Sequence, residues 1–149
     1  MPYAIDLTDP AVRDEVLAQI NANTGELNKA LGVTFVDVAE GRLVATMPVE
    51  GNRQPYGLLH GGASCALAES LGSVAAGLHA GPDSVPVGVD INATHHRSAR
   101  DGVVTGVCTP VHEGRSTATY SIVISDAEDR RLCTARITCQ LLRRKPTTA

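Results

Sequence analysis

The 149-residue sequence has no tryptophan, one phenylalanine (Phe35) and three tyrosines. A core must therefore be built from Val, Leu, Ile and Ala. Stacking on exposed rings, the usual device for holding single-stranded nucleic acid, has few rings to work with. A basic excess is missing too: 13 Lys and Arg against 16 Asp and Glu give a net charge of −3, which provides no general attraction for nucleic acid or an anionic membrane. Four cysteines, Cys65, Cys108, Cys133 and Cys139, show neither CxxC spacing nor a zinc pattern with histidine. They read as small buried thiols. The first ten residues lack the basic start and apolar run of a secretory leader, so a reducing, cytoplasmic setting is expected. No repeat or low-complexity tract is present. What remains is 43% hydrophobic, 19% charged and near zero in mean hydropathy, which excludes a disordered chain or a fibre and fits one ordinary domain.

Asp9 before Pro10 is an N-cap followed by proline at the first helical position. Val12, Val16, Leu17 and Ile20 continue at helical spacing. A second short helix is expected from Thr24 to Leu31, closed by Gly32. Val33 to Val38 and Arg42 to Val49 are β-rich and flank a Glu40-Gly41 hairpin turn. Glu50 to Gly57 reads as a polar loop. His60 to Ala80 is a helix too polar and glycine-rich to span a membrane, with Glu69 at its middle. Strands follow at Val85 to His96, Val103 to His112, Ser116 to Ile124 and Leu132 to Leu142, divided by turn residues at Asp101-Gly102, Glu113-Gly114 and Asp126 to Asp129. This order predicts an α+β fold with a six-stranded, mostly antiparallel sheet covered by one long helix. The chain divides into an N-terminal helical segment (1–30), a main domain (31–142) and a polar tail (143–149).

On the long helix, Leu67, Leu71, Val74 and Leu78 form one apolar stripe. Glu69 falls on the opposite side with Gly62, Cys65, Ala66, Ser73, Ala76 and Ala80. A face of such small residues suits either a partner subunit or a slot for a narrow ligand. A carboxylate buried there without a partner would cost several kcal/mol, roughly, and its pKa would rise. A Glu facing solvent or paired with an arginine is the plainer alternative. Ser73, one turn on, is in reach of Glu69 or of a water beside it. At the helix start, His60-Gly61-Gly62 leaves backbone N–H groups at a positive dipole end. Such an arrangement can hold a phosphate or polarise a carbonyl oxygen.

Other residues carry less. His95 and His96 are adjacent on a strand and point to opposite faces, so they cannot chelate one metal together, and His112 is remote. His95, His96 and Arg97, with Arg100 and Arg115, could line the mouth of a pocket and meet phosphates, or be a solvated strand end. Ser64 lacks a GxSxG context.

The run Arg53-Gln54-Pro55-Tyr56-Gly57-Leu58-Leu59-His60-Gly61-Gly62-Ala63-Ser64, followed by Ala66-Leu67-Ala68-Glu69 and Leu71-Gly72-Ser73, resembles the hotdog-fold acyl-CoA thioesterases. The likeness is to the branch of 4-hydroxybenzoyl-CoA thioesterase of the Arthrobacter type. Within it the chain is most similar to 1,4-dihydroxy-2-naphthoyl-CoA thioesterases and the enterobactin proofreading thioesterases. It continues through Val87-Gly88, Ile91 to Arg97, Gly106 to Cys108 and Arg130 to Cys133, covering roughly 31–142. The resemblance implies a long helix wrapped by a curved sheet, and a homo-oligomer, a tetramer arranged as a dimer of dimers, with each site shared by two subunits. It also implies roles. Glu69 would be nucleophile or general base, and the Gly61 amide would polarise the thioester carbonyl with His60 and Gln54 assisting. Ser73 would place water, while His95, His96 and Arg97 would lie near the nucleotide end of coenzyme A. No metal or separate cofactor is implied, coenzyme A being part of the substrate. The expected substrate is an aroyl- or hydroxyaroyl-CoA such as 1,4-dihydroxy-2-naphthoyl-CoA. The alternatives are broad hydrolysis of phenylacetyl-CoA, other acyl-CoAs or misloaded acyl carrier protein, and acyl-CoA binding without turnover.

Overall fold

A computed structural model describes residues 5–144. Helix α1 (Pro10–Ala22) starts where Asp9 accepts a hydrogen bond from the Ala11 amide. Helix α2 (Gly25–Leu31) ends at Gly32, whose φ of 71° is the left-handed cap that glycine adopts without steric cost. Strands β1 (Thr34–Ala39) and β2 (Arg42–Pro48) form the expected hairpin. Helix α3 (Gly61–Ala80) then precedes β3 (Ser84–His95), β4 (Val103–Glu113), β5 (Thr117–Ser125) and β6 (Arg131–Arg143). Of the expected polar tail, Arg143 closes β6, and residues 145–149 lie outside the described residues, as do residues 1–4 at the other end.

The six strands form one antiparallel sheet in the order β1-β2-β4-β5-β6-β3. Alternation sets which side chains point inward. Ala118, Tyr120, Ile122 and Ile124 of β5 are buried while their neighbours are not, and Ile137 and Cys139 continue the layer on β6. Leu67 and Leu71 of the predicted stripe are fully buried, and Val74 and Leu78 pack at the margin of the core. Phe35 and Tyr120 are the aromatic residues of a core otherwise built of aliphatic side chains, Met47 and three cysteines.

The helix is more deeply seated than its stripe indicates. Ala68, Gly72 and Ala76 are buried as well, so Ala76 does not belong to an open small-residue face. Close packing explains this: an ideal Cβ on Gly72 would lie 2.1 Å from Ile137 Cγ2, so only glycine lets α3 approach β6 there. Burial pushes the Cys108 thiol up to about 12, with Cys139 and Glu113 adding to the shift. That matches the inert, core reading of this cysteine. All four cysteines are free thiols; three are buried and Cys65 is half-buried.

Candidate active site

The start of α3 is built by its own sequence. His60 has extended backbone (φ −68°, ψ 129°), and its Nδ1 accepts a hydrogen bond from the Gly62 amide at 2.8 Å. This histidine is therefore the helix N-cap. The Gly61 N–H meets no protein acceptor among the described residues. It is an unclaimed donor at the positive end of a 20-residue helix. Gly61 also faces His95: an ideal Cβ would stand 2.9 Å from His95 Nε2, so a side chain at 61 would displace the ring.

A buried asparagine anchors the preceding loop. Asn52 Nδ2 donates to the carbonyls of Leu31 (2.7 Å) and Pro48 (2.9 Å), and its own carbonyl accepts from the His60 amide at 2.9 Å. Beyond it the chain turns at Gln54, whose amide donates to the Leu58 carbonyl at 2.8 Å while its Oε1 accepts from the Tyr56 amide. The Leu59 amide then donates to Ala99 at 2.8 Å, tying this loop to the segment after β3. There the His96 amide donates to the Leu132 carbonyl at 2.7 Å, and His96 Nε2 lies 2.9 Å from Thr134 Oγ1. His95 thus turns to Gly61 and His96 to Thr134. An open recess of about 370 Å³ results, lined by Gln54, Gly61, Ser64, His95, His96 and Arg97 among others.

Glu69 is elsewhere. Eight residues beyond Gly61, it lies about 12 Å further along the helix axis at 1.5 Å per residue. It is exposed and enters no ion pair among the described residues. Its carboxylate rests against β3, with Oε1 2.9 Å from an ideal Cβ on Gly88. A smaller recess of about 230 Å³ is lined by Glu69, Gly88, Val89, Asp90 and Ile91. Ser73 and Glu69 both neighbour the Cys139 thiol: burial pushes that thiol up, Glu69 adds to the rise, and Ser73 opposes it. One chain therefore gathers Gln54, Gly61, His95, His96 and Arg97 at one recess and holds Glu69 at another, while Ser73 neighbours Cys139 and lines neither.

The sequence pattern carries Gly88 only within the Val87-Gly88 likeness and Cys139 only as a small buried thiol, and it gives no sign of the role of Asn52. A glycine inside a strand is itself a signal of close approach, and Gly88 carries it. A polar group at the far end of α3 likewise leaves no mark in the sequence pattern. There His79 Nε2 donates to the Gly114 carbonyl at 2.9 Å, and the Tyr120 hydroxyl donates to Glu113 Oε1 at 2.8 Å. Among the described residues no three His, Cys, Asp or Glu side chains are placed to share a metal ion.

The family model for the thioesterase superfamily matches residues 56–133, a stretch that contains both recess-forming segments of α3. The chain belongs to the thioesterase superfamily. This superfamily member is similar to proofreading thioesterase EntH of Cronobacter sakazakii, 44% identical over 132 residues that cover 87% of this chain and 96% of that protein. It is also similar to EntH of Klebsiella pneumoniae, 45% identical over 127 residues, covering 84% and 93%. Among solved structures, a thioesterase from Haemophilus influenzae superposes with a TM-score of 0.84 at 36% identity, covering 89% of this chain and 94% of that one. The alignment to the Cronobacter protein is longer than the stretch 31–142 that the motifs span, so the likeness of this thioesterase to its relatives extends beyond it. Helix α3 on a six-stranded antiparallel sheet is accordingly a hotdog fold, and the chain is a thioester hydrolase. No helix among the described residues is long and apolar enough to cross a membrane.

Proposed function

We propose that the protein hydrolyses an aroyl- or hydroxyaroyl-CoA thioester, with 1,4-dihydroxy-2-naphthoyl-CoA as the type of substrate, to the free acid and coenzyme A in the cytoplasm. The observation that carries this reading is the unclaimed Gly61 N–H at the end of a helix dipole, in one recess with Gln54, His95 and Arg97. That donor is suited to a thioester carbonyl whose oxygen gains negative charge during attack. Arg97 and His96 at the same mouth suit the phosphates of coenzyme A. Glu69 supplies the attacking group, as nucleophile on the carbonyl carbon or as general base toward water, with Ser73 placing that water. A thioester is an activated acyl group with a thiolate leaving group, so the chemistry calls for no metal and no cofactor beyond the coenzyme A of the substrate.

The 12 Å, roughly, between Gly61 and Glu69 along one helix is too long for both to act on one carbonyl. The reading therefore includes a homo-oligomer, a dimer or a dimer of dimers, in which Gly61 of one copy and Glu69 of another meet. The exposed valines of β3, at 41%, 43% and 58% for Val85, Val87 and Val89, support that edge as the shared surface.

A second reading is favoured by the relatives named proofreading thioesterase: hydrolysis of misloaded acyl groups from a carrier protein, with broad acyl tolerance. The test is a panel of aroyl, aliphatic and carrier-protein thioesters followed by free-thiol release, run on the wild type and on Glu69→Gln. The variant is expected to lose about 10²–10⁴-fold in turnover while still binding coenzyme A. Near-normal turnover would remove Glu69 from the chemistry, and bound but unhydrolysed thioester in the wild type would leave only a binding protein. Faster release from the carrier protein than from any coenzyme A ester would select the second reading.

A further inference from the structure

Gly88 lies inside a 12-residue strand, a place where glycine weakens pairing and contributes no side chain to packing. Its φ is not in the left-handed region, so backbone conformation does not require glycine there. What requires it is space. The nearest atom to an ideal Cβ at 88 is Glu69 Oε1 at 2.9 Å; the next, Glu69 Cδ and Ile137 Cδ1, stand at an ordinary 3.8 Å. Immediately after Gly88 the register with β6 shifts in a β-bulge, and Val89 there is 58% exposed. Bulges re-aim a strand and are frequent beside active sites. Gly88, Val89 and Glu69 line the same recess.

We infer that Gly88 is the positioning residue for Glu69: its missing side chain sets where the carboxylate stands and keeps open the space in front of it. The inference rests on the reading of Glu69 as the attacking group. It has an unusual energetic signature. The atom that a methyl at 88 would strike is the far end of a flexible side chain, not backbone or core. The fold can relieve that contact by swinging the carboxylate aside, so stability changes little and the whole displacement falls on Glu69. A shift of about 1 Å in an attacking group is enough to cost on the order of 10²-fold in rate.

The test compares Gly88→Ala, Glu69→Asp and the double variant with the wild type and with Glu69→Gln, using one aroyl-CoA substrate and free-thiol release. Gly88→Ala is expected to lower kcat about 10- to 100-fold while KM and the melting temperature stay near wild type. Aspartate is shorter by one C–C bond, roughly 1.5 Å, and makes room for the new methyl. The double variant should therefore turn over at least about 5-fold faster than the product of the two single losses predicts. Losses that multiply, or a Gly88→Ala enzyme with full kcat while Glu69→Gln is dead, overturn this inference and leave the role of Glu69 standing. Full turnover by Glu69→Gln overturns both. If Gly88→Ala fails to fold, stability becomes the readout of the same pair: recovery of folded protein in the Glu69→Asp background supports the contact, and no recovery overturns it.

Discussion

The sheet has two edges, and the chain treats them differently. At β1 the edge is closed from within. Asn21 of α1 donates from Nδ2 to the Phe35 carbonyl at 2.8 Å and accepts from the Phe35 amide at 2.9 Å, so one side chain stands in for a neighbouring strand. At β3 no strand lies alongside the outer edge among the described residues, and Val85, Val87 and Val89 are exposed along it. A long apolar open edge is one that monomeric proteins avoid. Both recesses border this open edge: Gly88 backs Glu69 near the middle of β3, and His95 at its end backs Gly61. The closed edge borders neither. The difference teaches that the chain uses a helix to seal the edge remote from both recesses and leaves open the edge beside them, the one the proposed oligomer would use.

The largest effect should come from closing that open edge with charge. Val87→Lys combined with Val89→Lys places two cations where a second apolar edge would have to sit. The expected result is a monomer by light scattering, an unchanged far-ultraviolet spectrum, and hydrolysis down about 10²–10⁴-fold, the range for removing a catalytic base. A monomer with full turnover would break the comparison, because one chain would then be enough.

A smaller effect is expected just beyond the end of β3. Arg97 lines the Gly61 recess and is exposed, so its replacement should leave the fold intact. Losing one hydrogen bond from a charged donor to a phosphate is worth about 1.5–3 kcal/mol. Arg97→Ala should therefore raise KM for coenzyme A esters by roughly tenfold or more with kcat nearly constant. An unchanged KM would take Arg97 out of the nucleotide end of the site, and would sharpen the comparison by confining the chemistry to β3 itself.

Much of this arrangement was legible in the sequence. Turn residues and β-rich runs place every strand within about two residues, because both signals are local. The His60-Gly61 cap and the Glu69 carboxylate stand out because their residue types are out of keeping with the rest of an apolar helix. Three things were not legible. Ala76 reads as a small surface residue, yet it is buried, because Gly72 lets the helix settle onto Ile137 and small residues then fill the narrow gap. Asn52 reads only as part of a polar loop, and nothing in the sequence marks Asn21 or Asn28; what all three do depends on partners distant in sequence. Asn28 Oδ1, for example, accepts from the Ser70 hydroxyl at 2.7 Å and so ties α2 to α3. The separation of Glu69 from Gly61 follows from helix rise alone, but a motif lists residues without saying that one chain keeps them apart.

The smallest effect on catalysis is expected at the closed edge. Asn21→Ala deletes two hydrogen bonds to the backbone of Phe35, each worth about 0.5–1.5 kcal/mol net, so about 1–3 kcal/mol of stability in all. For a chain of this size that is a fall of roughly 2–4 °C in Tm per kcal/mol. The freed Phe35 amide and carbonyl would then be an unpaired edge at β1, but a short one: β1 is six residues against twelve in β3, and it carries no residue of either recess. Mass by light scattering and kcat/KM well below the melting temperature should therefore match the wild type. A parallel fall in activity would mean that α1 holds the site as well as the edge. A new, larger species would mean that any opened edge of this sheet recruits a copy, and the privilege of β3 would then lie in its valines rather than in its place beside Glu69 and Gly61.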